Sequence, residues 1–299
     1  MKKWMHKSLG DKILDIFIHL VLVVIALITF YIFWYCVVGA FSTGDDFMNG
    51  KSWFWPEHFT LDNFKAVMED SDILHAFWIS VLRTVIGTVT SVLFTALIAY
   101  GMTRPQLKGK KFYSVFMIIT MFFSGGTIPT FLLYDGLGLL DSFWVYIIPG
   151  MFSVYNMILV RNAMNEIPAS LLEAARIDGC GEYRIFWQIV LPMSKSTLMA
   201  IALFNAVAHW NNYFDTMMYT TDPNLQTAQY YLYNMIVKAD KVTEMLNQGV
   251  LANPDMVVNV SSQSVRMAAV VVISLPILLV YPFIQKHFVK GVMIGSVKE

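Results

Sequence analysis

The run Glu173-Ala174-Ala175-Arg176-Ile177-Asp178-Gly179-Cys180-Gly181, with an apolar segment after it that closes at Leu191-Pro192, stands between two apolar stretches. Its groups suit docking rather than bond chemistry. Carboxylates and a guanidinium make charge-assisted hydrogen bonds to another surface, and Ala174 and Ala175 are small enough for close approach. Leu171, Leu172 and Ala175 recur at helical spacing behind Pro168, a residue at home in a first turn. Gly179 is placed to end that helix in the left-handed conformation. A second short helix is expected from about Glu182, with Tyr183, Phe186, Trp187 and Val190 on one face and Pro192 at its exit. Spacing alone leaves two readings of Glu173 and Arg176 open, a docking contact or a solvated loop.

A second concentration of polar groups, Asn205, His209, Asn211, Asn212 and Asp215, interrupts an apolar stretch. Such groups within a membrane face a cavity or a neighbouring helix. At about 1.5 Å per residue, Trp210 stands roughly 18 Å beyond Leu198. Trp210, Asn211, Asn212, Tyr213 and Asn205 are therefore candidates to line a polar path, and an interfacial aromatic belt with asparagines joining helices accounts for the same residues. Ser124 is a further path candidate. It opens Ser124-Gly125-Gly126-Thr127-Ile128-Pro129, where two glycines and a proline weaken a helix, as a hinge or as a packing kink.

Signatures of catalysis are missing. The chain has no G-x-x-x-x-G-K-[ST], H-E-x-x-H or G-x-S-x-G sequence, so no catalytic residue, metal ligand or cofactor is expected and the chain does not hydrolyse ATP by itself. Net charge is zero, and no basic stripe marks a nucleic-acid partner.

These residues need elements to hold them, and composition says which. The chain is 57% hydrophobic and 14% charged over 299 residues, too apolar to cover a soluble surface. A spanning helix needs about 20 mostly apolar residues. Six segments qualify, near 17–38, 77–100, 113–133, 143–159, 198–218 and 267–284. The expected fold class is all-α, a polytopic membrane protein with six transmembrane helices; the continuous apolar runs lack the alternation of a barrel. The expected organisation is an N-terminal tail 1–16, a membrane domain 17–284 and a C-terminal tail 285–299. Lys2, Lys3, Lys7 and Lys12, then Arg104, Lys108, Lys110 and Lys111, then Arg161, Arg176, Arg184 and Lys195, and finally Lys286, Lys290 and Lys298 fall in alternate connections. By the positive-inside rule both termini and the Glu173 loop are cytoplasmic. Arg83 and Arg266 fall near outer span ends, where they are expected to snorkel as anchors. Cys36 and Cys180 lie on opposite sides and do not pair.

The Glu-Ala-Ala run, its glycine at 179 and Leu191-Pro192 resemble the EAA loop of permease subunits of binding-protein-dependent ABC importers. Further stretches resemble the carbohydrate-uptake, maltose-type branch: Phe59-Thr-Leu-Asp-Asn-Phe-Lys65, Phe123-Ser-Gly-Gly-Thr-Ile-Pro129, His209-Trp-Asn-Asn-Tyr-Phe-Asp215 and Tyr281-Pro-Phe-Ile-Gln-Lys-His-Phe-Val-Lys-Gly291. The likeness runs nearly end to end; Cys180 departs from the usual alanine. It implies an ABC importer permease fold in a bacterial inner membrane, with a coupling loop over 161–192 in which Glu173, Ala174, Ala175, Asp178 and Gly179 meet an ABC ATPase subunit. It also implies a second permease subunit in a heterodimer, an extracytoplasmic sugar-binding protein received by the outer loops, and a sugar, an oligosaccharide in class, as cargo. Readings from other classes are an ion-gradient-driven secondary transporter and a non-transporting scaffold or sensor. The former needs an ionisable group deep in a span.

Overall fold

The computed structural model describes residues 9–247 and 263–295. The expected last outer loop falls partly outside the described residues, at 248–262, as do the ends of both tails. Among the described residues the chain is helical throughout, with one isolated bridge, Ser42 to Phe59. It packs as two compact units, 1–70 with 235–272 and 71–234 with 273–299.

In the first unit α1 (Leu9–Ala40) is apolar on every side, and its side chains from Ile13 to Ile32 are largely exposed. That suits a helix solvated by hydrocarbon. Its far end is closed by a loop. Trp34 donates its indole N–H to Phe54 O at 2.9 Å, and Asn63 Nδ2 reaches the carbonyls of Ala40 and Ser42 at 2.9 and 2.8 Å. Asn63 belongs to α3 (Asp62–Glu69), which follows the short α2 (Gly44–Met48). Hydrogen bonds from Thr43 and then His58 hold the Asp46 carboxyl below its ordinary range. Arg266 is half-buried with no partner for Nε, so the expected anchor is in part drawn inward.

The second unit is built on α4 (Ser71–Thr103), against which α7 (Val154–Asn165) and α11 (Lys195–Asn211) pack. Close approach is possible because α4 turns Gly87, Ser91, Thr95, Ala96 and Ala99 inward, the small-residue pattern of helix pairs in membranes. Met157, Val160 and Ile201 fill the seam.

Breaks in the helices fall where the sequence is weakest. The expected third span is divided into α5 (Lys110–Phe122) and α6 (Thr127–Gly136), bent by 116°. Gly126 has φ +89° at the bend, a conformation that costs glycine little. The stretch expected as the fourth span is not one helix: a 3-10 turn Phe143–Tyr146 is followed by turns and then α7. Pro149 and Gly150 occupy the interruption. The fifth ends early. After α11 the chain turns at Asn212 and resumes as α12 (Phe214–Tyr219). Among the described residues three helices are long and apolar enough to cross a membrane, Gly10–Ala40, Ser71–Thr103 and Gln263–Val280, and up to five spans result if each bent pair is one. The last belongs to α14 (Gln263–Gly295), preceded by α13 (Ala228–Asn247).

Candidate functional site

Two places collect the residues singled out by sequence, and both lie in the second unit. The first is a knob of two short helices. α8 (Ala169–Ile177) ends as expected at Gly179, with φ +81°. Cys180 N–H returns to Ala175 O at 2.9 Å and Gly179 N–H to Arg176 O at 3.0 Å, which is the paired closure of a Schellman motif. α9 (Glu182–Ile185) then runs into a π-helical stretch, Phe186–Val190, and α10 (Leu191–Met193). Pro192 brings no N–H to this ladder, yet the exit lies two residues later, at Ser194, where the path bends by 79° into α11.

Packing decides which face of the knob looks outward. Leu172, Ala175, Ile185, Phe186 and Val190 are buried. Tyr183 and Trp187, expected on the same face as Phe186, point outward instead; Tyr183 is 82% exposed and Ile177 86%. Ile185 and Phe186, neighbours where the α-helix meets the π-helical stretch, both face the core, and Phe186 packs on Tyr100 with centroids 5.2 Å apart. Glu173, Ala174, Asp178 and Gly179 are all exposed, and Ala175 is the buried member of the predicted set.

The charge that fixes the knob is one that sequence reasoning passed over. Glu182 accepts from Tyr100 Oη at 2.5 Å and from Arg176 Nε at 3.0 Å, with Arg104 Nη1 at 3.7 Å. The Tyr100 hydroxyl above all, then Arg176, holds its carboxyl below the ordinary range. Arg104 lies over the Tyr100 ring, 4.2 Å from its centroid. A weak signal for this was present: Arg176 and Glu182 are opposite charges astride a glycine turn.

The second place is a polar cavity of about 190 Å³ beside α11, lined by residues that include Arg83, Tyr134, Tyr146, Asn205, His209, Asn212 and Asp215. Arg83 is 1% exposed; the expected interfacial anchor is a buried ion pair. Its Nη2 donates to Asp215 Oδ2 and its Nη1 to Asn212 O at 3.0 Å, and the guanidinium lies 4.6 Å from the centre of the Tyr146 ring. Asn212 supports the arrangement at the helix break, with Nδ2 on Asp215 Oδ2 and Oδ1 taking the Asp215 N–H, each at 3.0 Å. A guanidinium with a side chain only 2% exposed depends on the carboxylate beside it for the solvation that water does not supply. His209 lies in a notch between two glycines. A Cβ on Gly87 would stand 2.5 Å from its Nε2, and one on Gly150 3.3 Å from its Cε1.

The predicted path residues are thus divided. Asn205 and Asn212 line the cavity. Trp210 does not stand open to a polar path: it is 5% exposed, donates to Ile273 O at 3.0 Å and meets Phe77 edge to face. Asn211 and Tyr213 are exposed beside Gln229 and Tyr233, the latter pair stacked at 4.7 Å. Ser124 is apart from them, exposed in the bend between α5 and α6, where Oγ accepts from Gly126 N–H at 3.3 Å.

A long apolar chain with broken spans, a helical knob and no strand among its described residues matches a known family. Residues 91–294 match the family described as "Binding-protein-dependent transport system inner membrane component". The chain belongs to it. Protein LplC of Bacillus subtilis is 36% identical over 98% of both chains. The polygalacturonan/rhamnogalacturonan transport system permease protein YtcP of the same organism is 37% identical over 96% of this chain and 99% of its own. A solved bacterial ABC transporter involved in the import of the acidic polysaccharide alginate contains a chain that superposes with a TM-score of 0.83 at 30% identity, over 94% of this chain and 99% of that one. The fold is that of an ABC importer permease, an inner-membrane component rather than an enzyme, and it works with a binding protein. This sets aside the gradient-driven carrier and the non-transporting scaffold.

Proposed function

We propose that this permease carries an oligosaccharide, drawn from plant or algal polysaccharide, and forms half of the path with a second, similar permease. ATP is hydrolysed on separate subunits, and the knob is where they are gripped. The observation that carries this reading is the knob itself: two short helices locked by a Schellman turn, with Ile177, Tyr183, Ala174 and Glu173 facing outward. A lever must transmit displacement without bending, and an exposed apolar tip beside a carboxylate suits a groove on a partner protein. The sugar class follows the printed substrates of YtcP and of the alginate importer.

In this reading both termini and the knob are cytoplasmic, by the distribution of lysine and arginine, and the chain crosses the membrane six times, counting the broken stretch 143–165 as one crossing. The outer loops receive the sugar-loaded binding protein. Closure of two ATPases around ATP moves the knobs of both permeases and turns the path outward.

The deciding experiment is a cysteine crosslink from Ala174→Cys, in membranes, to a cysteine-scanned ATPase of the same cell. A crosslink whose yield changes with ATP supports the lever. Absence of any crosslink from properly inserted protein overturns it.

A further inference from the structure

We infer that Trp53, Phe54 and Trp55 form a lipid-docking surface at the boundary between hydrocarbon and headgroups, in the leaflet at the Ala40 end of α1. In the reading above this is the outer leaflet; the surface depends neither on the cargo nor on the coupling knob. The segment 52–57 is a short tongue whose base is pinned near the helix end. Ser42 pairs with Phe59, Thr60 N–H donates to Phe41 O at 2.9 Å, and Glu57 N–H closes onto Ser52 Oγ at 3.5 Å. The tip meets α1 further back. Phe54 packs on Tyr31 with centroids 5.4 Å apart, Trp55 on Trp34 at 5.4 Å and Trp53 on Tyr35 at 6.3 Å. At about 1.5 Å per residue those contacts lie roughly 9–15 Å before Phe41, so the tongue folds back along the helix instead of rising from it. The stretch 16–35 of α1 carries no Asp, Glu, Lys or Arg and is about 30 Å long, the thickness of the hydrocarbon layer. The three rings therefore stand at its edge.

The polar groups of the tongue suit that depth. Trp53 O accepts from Tyr31 Oη at 3.4 Å and Phe54 O from Trp34 Nε1 at 2.9 Å, and Pro56 has no N–H to satisfy. Main-chain groups left unpaired so near hydrocarbon would be costly. Charge stays at the base, where Lys51 lies 3.9 Å from both Asp46 and Glu57. The rings of Trp53, Phe54 and Trp55 remain 59%, 63% and 72% exposed, beside the exposed aliphatic surface of α1 that ends at Ile32. Tryptophan collects at this level because its ring is apolar and its one N–H can reach headgroup water. A covering helix would be met by other residues. Helix seams in membranes use small side chains, as α4 does with Gly87, Ser91 and Ala96, whereas the stretch 13–35 of α1 has only Ala26 and Thr29 of that kind. Lipid therefore continues from α1 onto the tongue.

Two measurements on the complete importer in liposomes test this. Trp53→Phe with Trp55→Phe keeps the rings and removes both indoles, so the fluorescence lost relative to wild type belongs to them. That emission should be quenched at least twofold more by phosphatidylcholine brominated near the headgroup end of its acyl chains than by the same lipid brominated near the chain ends. Stronger quenching from the chain ends, or none from either lipid, would overturn the boundary position. Phe54 replaced by p-benzoylphenylalanine and illuminated in the same liposomes should form an adduct with phospholipid. An adduct confined to another subunit would overturn the inference and give the surface to a protein partner, and labelling of neither would place the tongue in water.

Discussion

The knob and the cavity each contain an arginine–carboxylate pair, and the pairs do opposite things. Arg176–Glu182 joins half-exposed side chains across a turn whose shape the backbone already sets through Gly179 and the carbonyls of Ala175 and Arg176. In Arg83–Asp215 the arginine is buried and the aspartate partly so, and three separate segments meet on the pair: α4, the break at Asn212 and the 3-10 turn of Tyr146. Water screens the first pair on both sides; in the second it is shut off from the guanidinium and reaches only part of the carboxylate. The knob is therefore shaped by main-chain geometry, and the helix junction at Asn212 is held by charge.

This comparison can be broken most forcefully at Arg83. Arg83→Leu leaves Asp215 uncompensated and should cost about 3–5 kcal/mol, seen as a large loss of thermal stability in detergent. Arg83→Leu with Asp215→Leu should recover most of that loss. If the single variant is as stable as wild type, the junction does not depend on the pair.

Gly179→Val comes next. No neighbour lies within 4 Å of a Cβ there, so the cost is backbone strain alone, about 1–2 kcal/mol for a side chain in the left-handed region. Insertion should be normal while transport uncouples from ATP hydrolysis, and Gly179→Asn should be milder. Glu173→Lys should uncouple as well with no loss of stability, since Glu173 is exposed and makes no ion pair among the described residues. Normal transport by Gly179→Val and Glu173→Lys would remove the knob from the coupling mechanism.

The smallest effect belongs to Glu182. Its carboxyl is depressed in the folded protein relative to the ordinary value of 4.5. Its contribution is thus complete above that value and is lost as pH falls through the lower, folded one. Because the group is half-exposed, less than about 1 kcal/mol is at stake. Stability measured from pH 6 to 3 should decline slightly less in Glu182→Gln than in wild type; identical declines would show that the pair does not stabilise the knob.

Much of the knob was legible before any coordinates. Pro168, the spacing of Leu172 and Ala175, and Gly179 are local signals, and local geometry realises them. What misled was the face of the second helix: an α-helical wheel groups Tyr183 with Phe186, but packing buries Ile185 and Phe186 against the core and leaves Tyr183 pointing out. The cavity was half legible. Asn205 and Asn212 were identified by polarity alone, whereas Trp210 is committed to Ile273, a partner 63 positions away that periodicity does not reveal. Arg83 read as an anchor because a span's end is uncertain by a turn or more, and only its distance to Asp215 tells a snorkelling arginine from a paired one.

By itself the sequence determined that this protein lives in a membrane, that it is helical, and that a helix–turn–helix knob interrupts its spans, because hydrophobicity, helical period and a left-handed glycine act within a few residues of one another. The tertiary structure alone decided that Arg83 meets Asp215, that His209 sits between Gly87 and Gly150, and that a broken stretch at Pro149-Gly150 leaves a polar cavity beside α11. Those contacts join residues dozens to more than a hundred positions apart, and which buried charge finds which partner is settled by helix packing, not by neighbours in the chain.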